Sequence, residues 1–276
     1  MDWLSLIQAA VLGIVEGMTE FLPVSSTGHL IVVSDLIGFG DKPGADTFVV
    51  AIQTGSILAV CWYYRLRIAA VLRGLFTVGR DQYLAINTVI GFLPAAVIGV
   101  LVSDFLKEYL FNAVTVATAL ILGGFIILWV ESRQERLGLE PRVKEMDDMS
   151  WRDALLVGIA QCAAMIPGTS RSGATIIGGL CFGLSRKAAT EFSFFLSIPT
   201  IFGATAYDLW QSRDMLAFEN LPELAVGTVI SFVSALAVVH WLIRFVSAHD
   251  FRSFGWYRIA FGLVILLTWV TGIVVW

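Results

Sequence analysis

Runs of apolar residues long enough to cross about 30 Å of hydrocarbon recur from one end of this 276-residue chain to the other. Backbone inside lipid must satisfy its own N–H and C=O groups, which leaves helices or a closed barrel. Long continuous apolar runs select helices. Hydrophobic residues make up 57% of the chain and charged residues 14%, against about 25% charged in a soluble domain. The expected fold is an all-α polytopic membrane protein. Met1-Asp-Trp-Leu carries no basic segment, so no cleavable signal peptide is expected. Cys61, Cys162 and Cys181 sit in apolar surroundings without a Cys-x-x-Cys spacing and read as small buried hydrophobes.

Eight apolar blocks follow one another. Leu4–Leu22 carries Glu16 and Glu20, and Pro23 turns the chain into a second short helix that runs through Leu30 to Ile37. After a loop at Gly38–Gly44 come the spans Phe48–Tyr64, Leu84–Val102 (kinked at Pro94) and Val114–Val130, with a short loop over Ser103–Phe111. Glu131–Asp153 is the one long charged connection and reads as a solvated linker. Ala154–Ile166 is again too short to cross and ends at Pro167. A short segment, Ile176–Leu184, and the spans Phe192–Leu209, Leu224–Ile243 and Ile259–Trp276 complete the chain. Trp62, Trp129, Trp241 and Trp276 fall near span ends, as an interfacial belt requires.

The halves look duplicated. Gly13-Ile-Val-Glu matches Gly158-Ile-Ala-Gln, Pro23-Val-Ser-Ser matches Pro167-Gly-Thr-Ser, and Phe48 aligns with Phe192, an offset near 144 residues. The chain is therefore one integral membrane domain, with repeat one at 1–131, a linker at 132–153 and repeat two at 154–276. Each repeat would hold a re-entrant helix-turn-helix and three transmembrane helices. An odd number of crossings inverts the second repeat relative to the first. On that layout one membrane face holds Arg65, Arg67, Arg73, Arg80, Arg133, Arg136, Arg142, Lys144, Arg152, Arg186, Lys187, Arg244, Arg252 and Arg258. The other holds Lys42, Lys107 and Arg213. The basic face is expected in the cytoplasm, with both termini outside.

The polar residues that interrupt this pattern are concentrated in two stretches. Glu16 and Glu20 are four apart and share one face of a helix. Ser25, Ser26 and Thr27 fall where the next helix needs an N-cap, and a helix start rich in N–H groups and hydroxyls suits a phosphate. Arg171 lies in the tip of the second hairpin beside Ser170, Ser172 and Thr175, where a guanidinium requires an anionic partner. Glu16, Glu20 or a bound phosphate could serve. The bland alternative is an ion pair that ties the two halves together.

Glu16-x-x-x-Glu20, Pro23-Val-Ser-Ser-Thr-Gly-His29 and Pro167-Gly-x-Ser-Arg-Ser-x-x-Thr175 resemble the signature motifs of the BacA-type undecaprenyl-pyrophosphate phosphatases. The resemblance covers the whole chain, with no departure at the polar positions of the motifs. It implies removal of the terminal phosphate of undecaprenyl pyrophosphate in the bacterial cytoplasmic membrane, which recycles the lipid carrier for the cell wall and lowers sensitivity to bacitracin. It also implies inverted repeats, a site open to the outer, periplasmic face and a divalent-ion requirement.

Within that reading, Arg171 binds phosphate oxygens through its planar fork, helped by Ser170, Ser172, Thr175, Ser25 and Thr27. Ser26 is the expected nucleophile, with His29 placed to take its proton. A phosphohistidine at His29, or water activated by Glu20 or a metal, are the rival assignments. Glu16 and Glu20 are expected to act as ligands of Mg²⁺ or Ca²⁺, or as a base, rather than as acids. The partners expected are the polyprenyl pyrophosphate and membrane lipids, with a homodimer possible and no nucleic acid. The competing class is an inverted-repeat transporter or flippase of a phosphorylated lipid, for which the Ser26/His29 pair would have no use.

Overall fold

A computed structural model describes residues 3–42, 44–211, 221–274 and 276. Its helices, in chain order, are α1 (Trp3–Thr19), α2 (Ser26–Leu36), α3 (Ala45–Tyr63), α4 (Arg65–Gly74), α5 (Arg80–Leu110) and α6 (Ala113–Leu137). They continue as α7 (Trp151–Gln161), α8 (Arg171–Cys181), α9 (Arg186–Gln211), α10 (Leu221–Val246) and α11 (Arg252–Thr271). Among the described residues there is no strand, only a bridge between Val143 and Leu184. Among the described residues, five helices are long and apolar enough to cross a membrane: α3, α5 over Arg80–Val102, α6, α10 and α11. This is a multi-pass helical membrane protein.

Several expectations are corrected. Ser103–Phe111 is not a loop, because α5 continues to Leu110 and Pro94 does not end it. The arginine-rich stretch after Tyr64 forms a helix of its own, α4. Phe192–Leu209 falls within α9, but that helix is not a uniformly apolar span. Its Thr190, Ser193 and Ser197 are fully buried against protein, so its polar face points inward. Arg213 lies outside the described residues, as does the side chain of Lys107.

The charged connection after α6 is largely exposed, as expected, but it is pinned to the bundle. Val143, Met146 and Met149 are buried, and Arg142 and Ser185 bond across to Gly183 and Val143 through their backbone N–H groups. Glu131, with no side-chain exposure, accepts both nitrogens of a fork from Arg186 and the backbone N–H of Phe251. Ion pairs Arg67–Asp81, Arg67–Asp147, Lys187–Glu145 and Arg252–Glu135 draw the basic connections together at one end of the bundle. At the beginning of α1, in contrast, Lys42 of the α2–α3 loop donates to Ser5 and Gln8. Trp62 and Trp129 are exposed, with Arg65 and Arg133 over their rings, as suits an interfacial position.

The short helices pack on long ones through glycine. A Cβ on Gly13 of α1 would stand 2.5 Å from the Gly227 carbonyl oxygen of α10. A Cβ on Gly158 of α7 would stand 2.3 Å from that of Gly91 in α5. Backbones approach this closely only where the side chain is absent, the usual device for packing helices without a hydrophobic drive. Other large contacts join α3 to α10, α5 to α9, α3 to α9 and α6 to α11.

Helix α7 opens with a capping box. Ser150 Oγ accepts the N–H of Asp153 while the Asp153 carboxylate accepts the N–H of Ser150. Burial opposes ionisation of Asp153, but hydrogen bonds from Arg142 and Ser150 outweigh it and hold its pKa below the ordinary 3.8. A depressed folded pKa contributes stability above the unfolded value, and that contribution is lost as pH falls through the folded one. Asp153→Asn is therefore expected to lower stability near neutral pH by about 1 kcal/mol. The gap from wild type should close on acidification below 3.8, as read by thermal unfolding in detergent across pH.

Candidate active site

Helix α1 ends at Thr19, one helical bond runs on from Glu20 N–H to Glu16 O, and the chain then turns through Pro23 into α2. The second hairpin turns at Pro167 and Gly168 into α8. Ser25 (φ 70°) and Ser170 (φ 73°) are the non-glycine residues with left-handed backbone among those described, and each immediately precedes its short helix. Such a conformation costs about 1–3 kcal/mol and persists where surrounding structure enforces it. Ser170 Oγ caps α8 by accepting the Gly173 N–H at 3.1 Å, whereas Ser25 occupies the N-cap position of α2 without a side-chain cap bond. Ser26 and Arg171 are thus the first residues of matching helices, related by 145 positions rather than 144.

The two tips meet. Ser172 Oγ donates to the Leu22 carbonyl at 2.7 Å. Arg171 Nη2 donates to Glu20 Oε1 at 3.1 Å, and Ser26 Oγ donates to Glu20 Oε2 at 2.6 Å. The carboxylate of Glu20 therefore stands between the guanidinium and the hydroxyl, with side chains only 11% (Arg171) and 10% (Glu20) exposed. Arg171 Nη1 reaches the Ser193 carbonyl at 3.0 Å, and the guanidinium lies over the Phe21 ring at 5.6 Å. Its Nε is buried without a partner. The ion pair between the halves exists, but the fork is not saturated by it.

Other expected site residues fall nearby with different partners. Thr175 Oγ1 donates to the Arg171 carbonyl at 2.9 Å and shares a 2.7 Å bond with Ser193, so it holds the α8 start against α9. Ser170 and Ser172 share a 3.0 Å bond. Thr27 is half-buried. Neither ring nitrogen of His29 reaches Ser26. Nδ1 pairs with the Ser25 carbonyl at 2.7 Å, which makes it the protonated nitrogen, and Nε2 then accepts from the Tyr257 hydroxyl at 2.6 Å. The ring also stacks on Phe261 at 3.9 Å.

Glu16 is fully buried, and its carboxylate oxygens make no hydrogen bond of good geometry. Ser56 lies beside it, with its hydroxyl shared with Ser231 at 2.8 Å. An orphaned buried carboxylate one helical turn from Glu20 fits a cation partner. Among the described residues no three His, Cys, Asp or Glu side chains converge, so such an ion would need phosphate or water oxygens to complete its shell.

Ser193, Tyr257 and Arg258 were not anticipated. Ser193 had a faint signal, as a polar residue inside an apolar block. Arg258 is withdrawn from the set of basic residues at the membrane face, because it is 1% exposed and its guanidinium lies inside the bundle.

Fold and site together define a polytopic helical membrane protein whose acids, hydroxyls and guanidinium gather where two short-helix hairpins touch. The chain belongs to the family described as bacitracin resistance protein BacA, which it matches over residues 9–264. It is 55% identical to the undecaprenyl-diphosphatase of Nitrosomonas europaea over 276 residues, covering 100% of this chain and 99% of that one. The undecaprenyl-diphosphatase of Aromatoleum aromaticum is likewise 55% identical, with 100% and 99% covered. Undecaprenyl-diphosphatase 2 of Rhodospirillum rubrum is also 55% identical, with the same shares.

Arg171→Lys keeps a charge but loses the planar fork and the free Nε. We expect it to bind methylene-diphosphonate at least about tenfold more weakly than wild type in detergent calorimetry. Unchanged affinity would show that the fork is not what holds phosphate.

Proposed function

We propose that this chain hydrolyses undecaprenyl diphosphate to undecaprenyl phosphate and inorganic phosphate in the bacterial cytoplasmic membrane, and thereby recycles a lipid carrier of cell-wall synthesis and counters bacitracin. The relatives at 55% identity are named for this reaction. The observation that carries the chemistry is Glu20 held between Arg171 and Ser26.

A diphosphate terminus is a stronger partner for a guanidinium than a single carboxylate, because it offers several charged oxygens. On binding it would replace Glu20 as the partner of Arg171, with the free Nε supplying a further donor. Glu20, released from the ion pair but still bonded to Ser26, becomes the proton acceptor. Ser26 Oγ then forms a bond to the terminal phosphorus while the bond to the bridging oxygen breaks. Undecaprenyl phosphate leaves, and the hydroxyl proton passes to Glu20. Water hydrolyses the phosphoserine, and Glu20 returns its proton to Ser26. His29 keeps the Ser25 turn in place through Nδ1 rather than acting as the base. Ser170, Ser172, Thr175, Ser25 and Thr27 shape the two turns and present N–H groups at the helix starts to the phosphate. Glu16 and Glu20 would hold a divalent cation, Mg²⁺ or Ca²⁺, which when bound neutralises phosphate oxygens.

The packing supports two inverted repeats. With α3, α5 and α6 matched to α9, α10 and α11, the contacts α1 on α10 and α7 on α5 exchange, as do α3 on α10 and α9 on α5. On this reading hairpins α1–α2 and α7–α8 are re-entrant, from opposite faces. The basic end faces the cytoplasm, both termini face out, and the site opens outward.

Phosphate release from undecaprenyl diphosphate in detergent should fall at least about 10²-fold in Glu20→Gln and Ser26→Ala and on EDTA treatment. His29→Gln should lose less than Glu20→Gln. Rapid acid quench should trap an acid-stable phosphoserine. An acid-labile phosphoenzyme, or a greater loss in His29→Gln, would assign the chemistry to His29 instead.

A further inference from the structure

We infer that Arg258 is a positioning residue that sets the two hairpin turns against each other. It enters from α11, outside both hairpins, and is 1% exposed. All three of its side-chain nitrogens donate to backbone carbonyls. Nη1 reaches Pro23 O at 3.0 Å and Thr169 O at 2.9 Å. Nη2 reaches Gly168 O at 3.0 Å and Ala119 O at 3.1 Å, and Nε reaches Leu120 O at 3.3 Å. A guanidinium has five N–H groups, and here each has an acceptor. No carboxylate pairs with it among the described residues, so this cation is held by turn and helix carbonyls alone.

The carbonyls it selects matter. Pro23 and Gly168 are matching residues of the two turns, 145 apart, and each stands three residues before a functional side chain, Ser26 and Arg171. One rigid fork therefore fixes both turn peptides at the same remove from Ser26 and Arg171. These carbonyls lie outside helical ladders and would be buried without a donor if Arg258 were absent. The surrounding sequence makes room for the fork, because a Cβ on Gly123 would stand 2.2 Å from Nη2. Gly168, at φ +91°, lets the second turn lie against α6, where a Cβ would stand 2.3 Å from Val116 O. A lysine could not substitute, because three donors radiating from one nitrogen cannot reach five acceptors on three elements.

The inference rests on the assignment of Ser26, Glu20 and Arg171 to catalysis, so its test needs a readout separate from turnover. Hydrogen–deuterium exchange of the turn peptides covering 20–27 and 166–173 supplies it, alongside kcat for undecaprenyl diphosphate. Arg258→Lys and Arg258→Met should speed exchange in both turns together, leave the α3–α10 contact protected, and lower kcat at least about tenfold. Gly123→Ala, which displaces the fork but keeps the charge, should reproduce the effect and add nothing further in the Arg258→Met background. Arg171→Ala, as a control, should lose turnover while the Pro23 turn keeps wild-type exchange. Wild-type exchange at both turns in Arg258→Met, full rescue by Arg258→Lys, or an exchange increase spread evenly through the bundle would each overturn the proposal. If Arg258→Met does not fold, wild-type exchange and turnover in Gly123→Ala would overturn it equally.

Discussion

Backbone that leaves the helix inside an apolar bundle must find partners for its polar groups, and this chain breaks its helices there twice. The two breaks answer one another. The Leu22 carbonyl of the first turn takes hydrogen bonds from Ser172 of the second, and the Pro23, Gly168 and Thr169 carbonyls share the Arg258 guanidinium. The turns are satisfied jointly, by Ser172 across their junction and by Arg258 from α11. The position of α1 on α10, of α7 on α5 and of α11 on α6 can be read as the scaffold that brings the turns together.

That mutual satisfaction creates a polar site in a place where water is scarce. Electrostatic interactions strengthen there, so one guanidinium and one carboxylate go far. Arg171 and Glu20 form a pair that is complete enough to be stable and incomplete enough to accept a ligand, since Nε lacks a partner. On the proposed reading, a ligand with more negative charge than a carboxylate takes the place of Glu20 on Arg171. The left-handed Ser25 and Ser170 are the local strain that places Ser26 and Arg171 at the first position of their helices, facing the junction.

Much of this was legible in the sequence. The apolar runs predicted the long helices, and Pro23 and Pro167 marked the breaks. Glu16, Glu20, Ser26 and Arg171 stood out because polar side chains in such surroundings require a reason. The lengths of α5 and α6 were missed because helix propensity and tertiary packing carry a helix past the end of its apolar stretch, as at Ser103–Phe111. The docking of the connection after α6 was missed because its charges pair with distant segments, Glu131 with Arg186 and Glu145 with Lys187. Charge alternation cannot reveal such partners. Arg258 was the deepest miss. At the end of an apolar run an arginine reads as an interfacial residue, and the five carbonyls it serves are backbone atoms that leave no mark in the sequence. His29 was given a partner three residues away, but a hydroxyl on another helix, Tyr257, occupies its second nitrogen.

The most direct measurement is an experimental structure of the protein with a polyprenyl methylene-diphosphonate bound in place of the substrate. The account predicts the terminal phosphonate between the hairpin tips, with Arg171 turned from Glu20 onto its oxygens and Ser26 in line with the terminal phosphorus. A phosphonate seated away from the tips, with the Arg171–Glu20 pair intact, would contradict it.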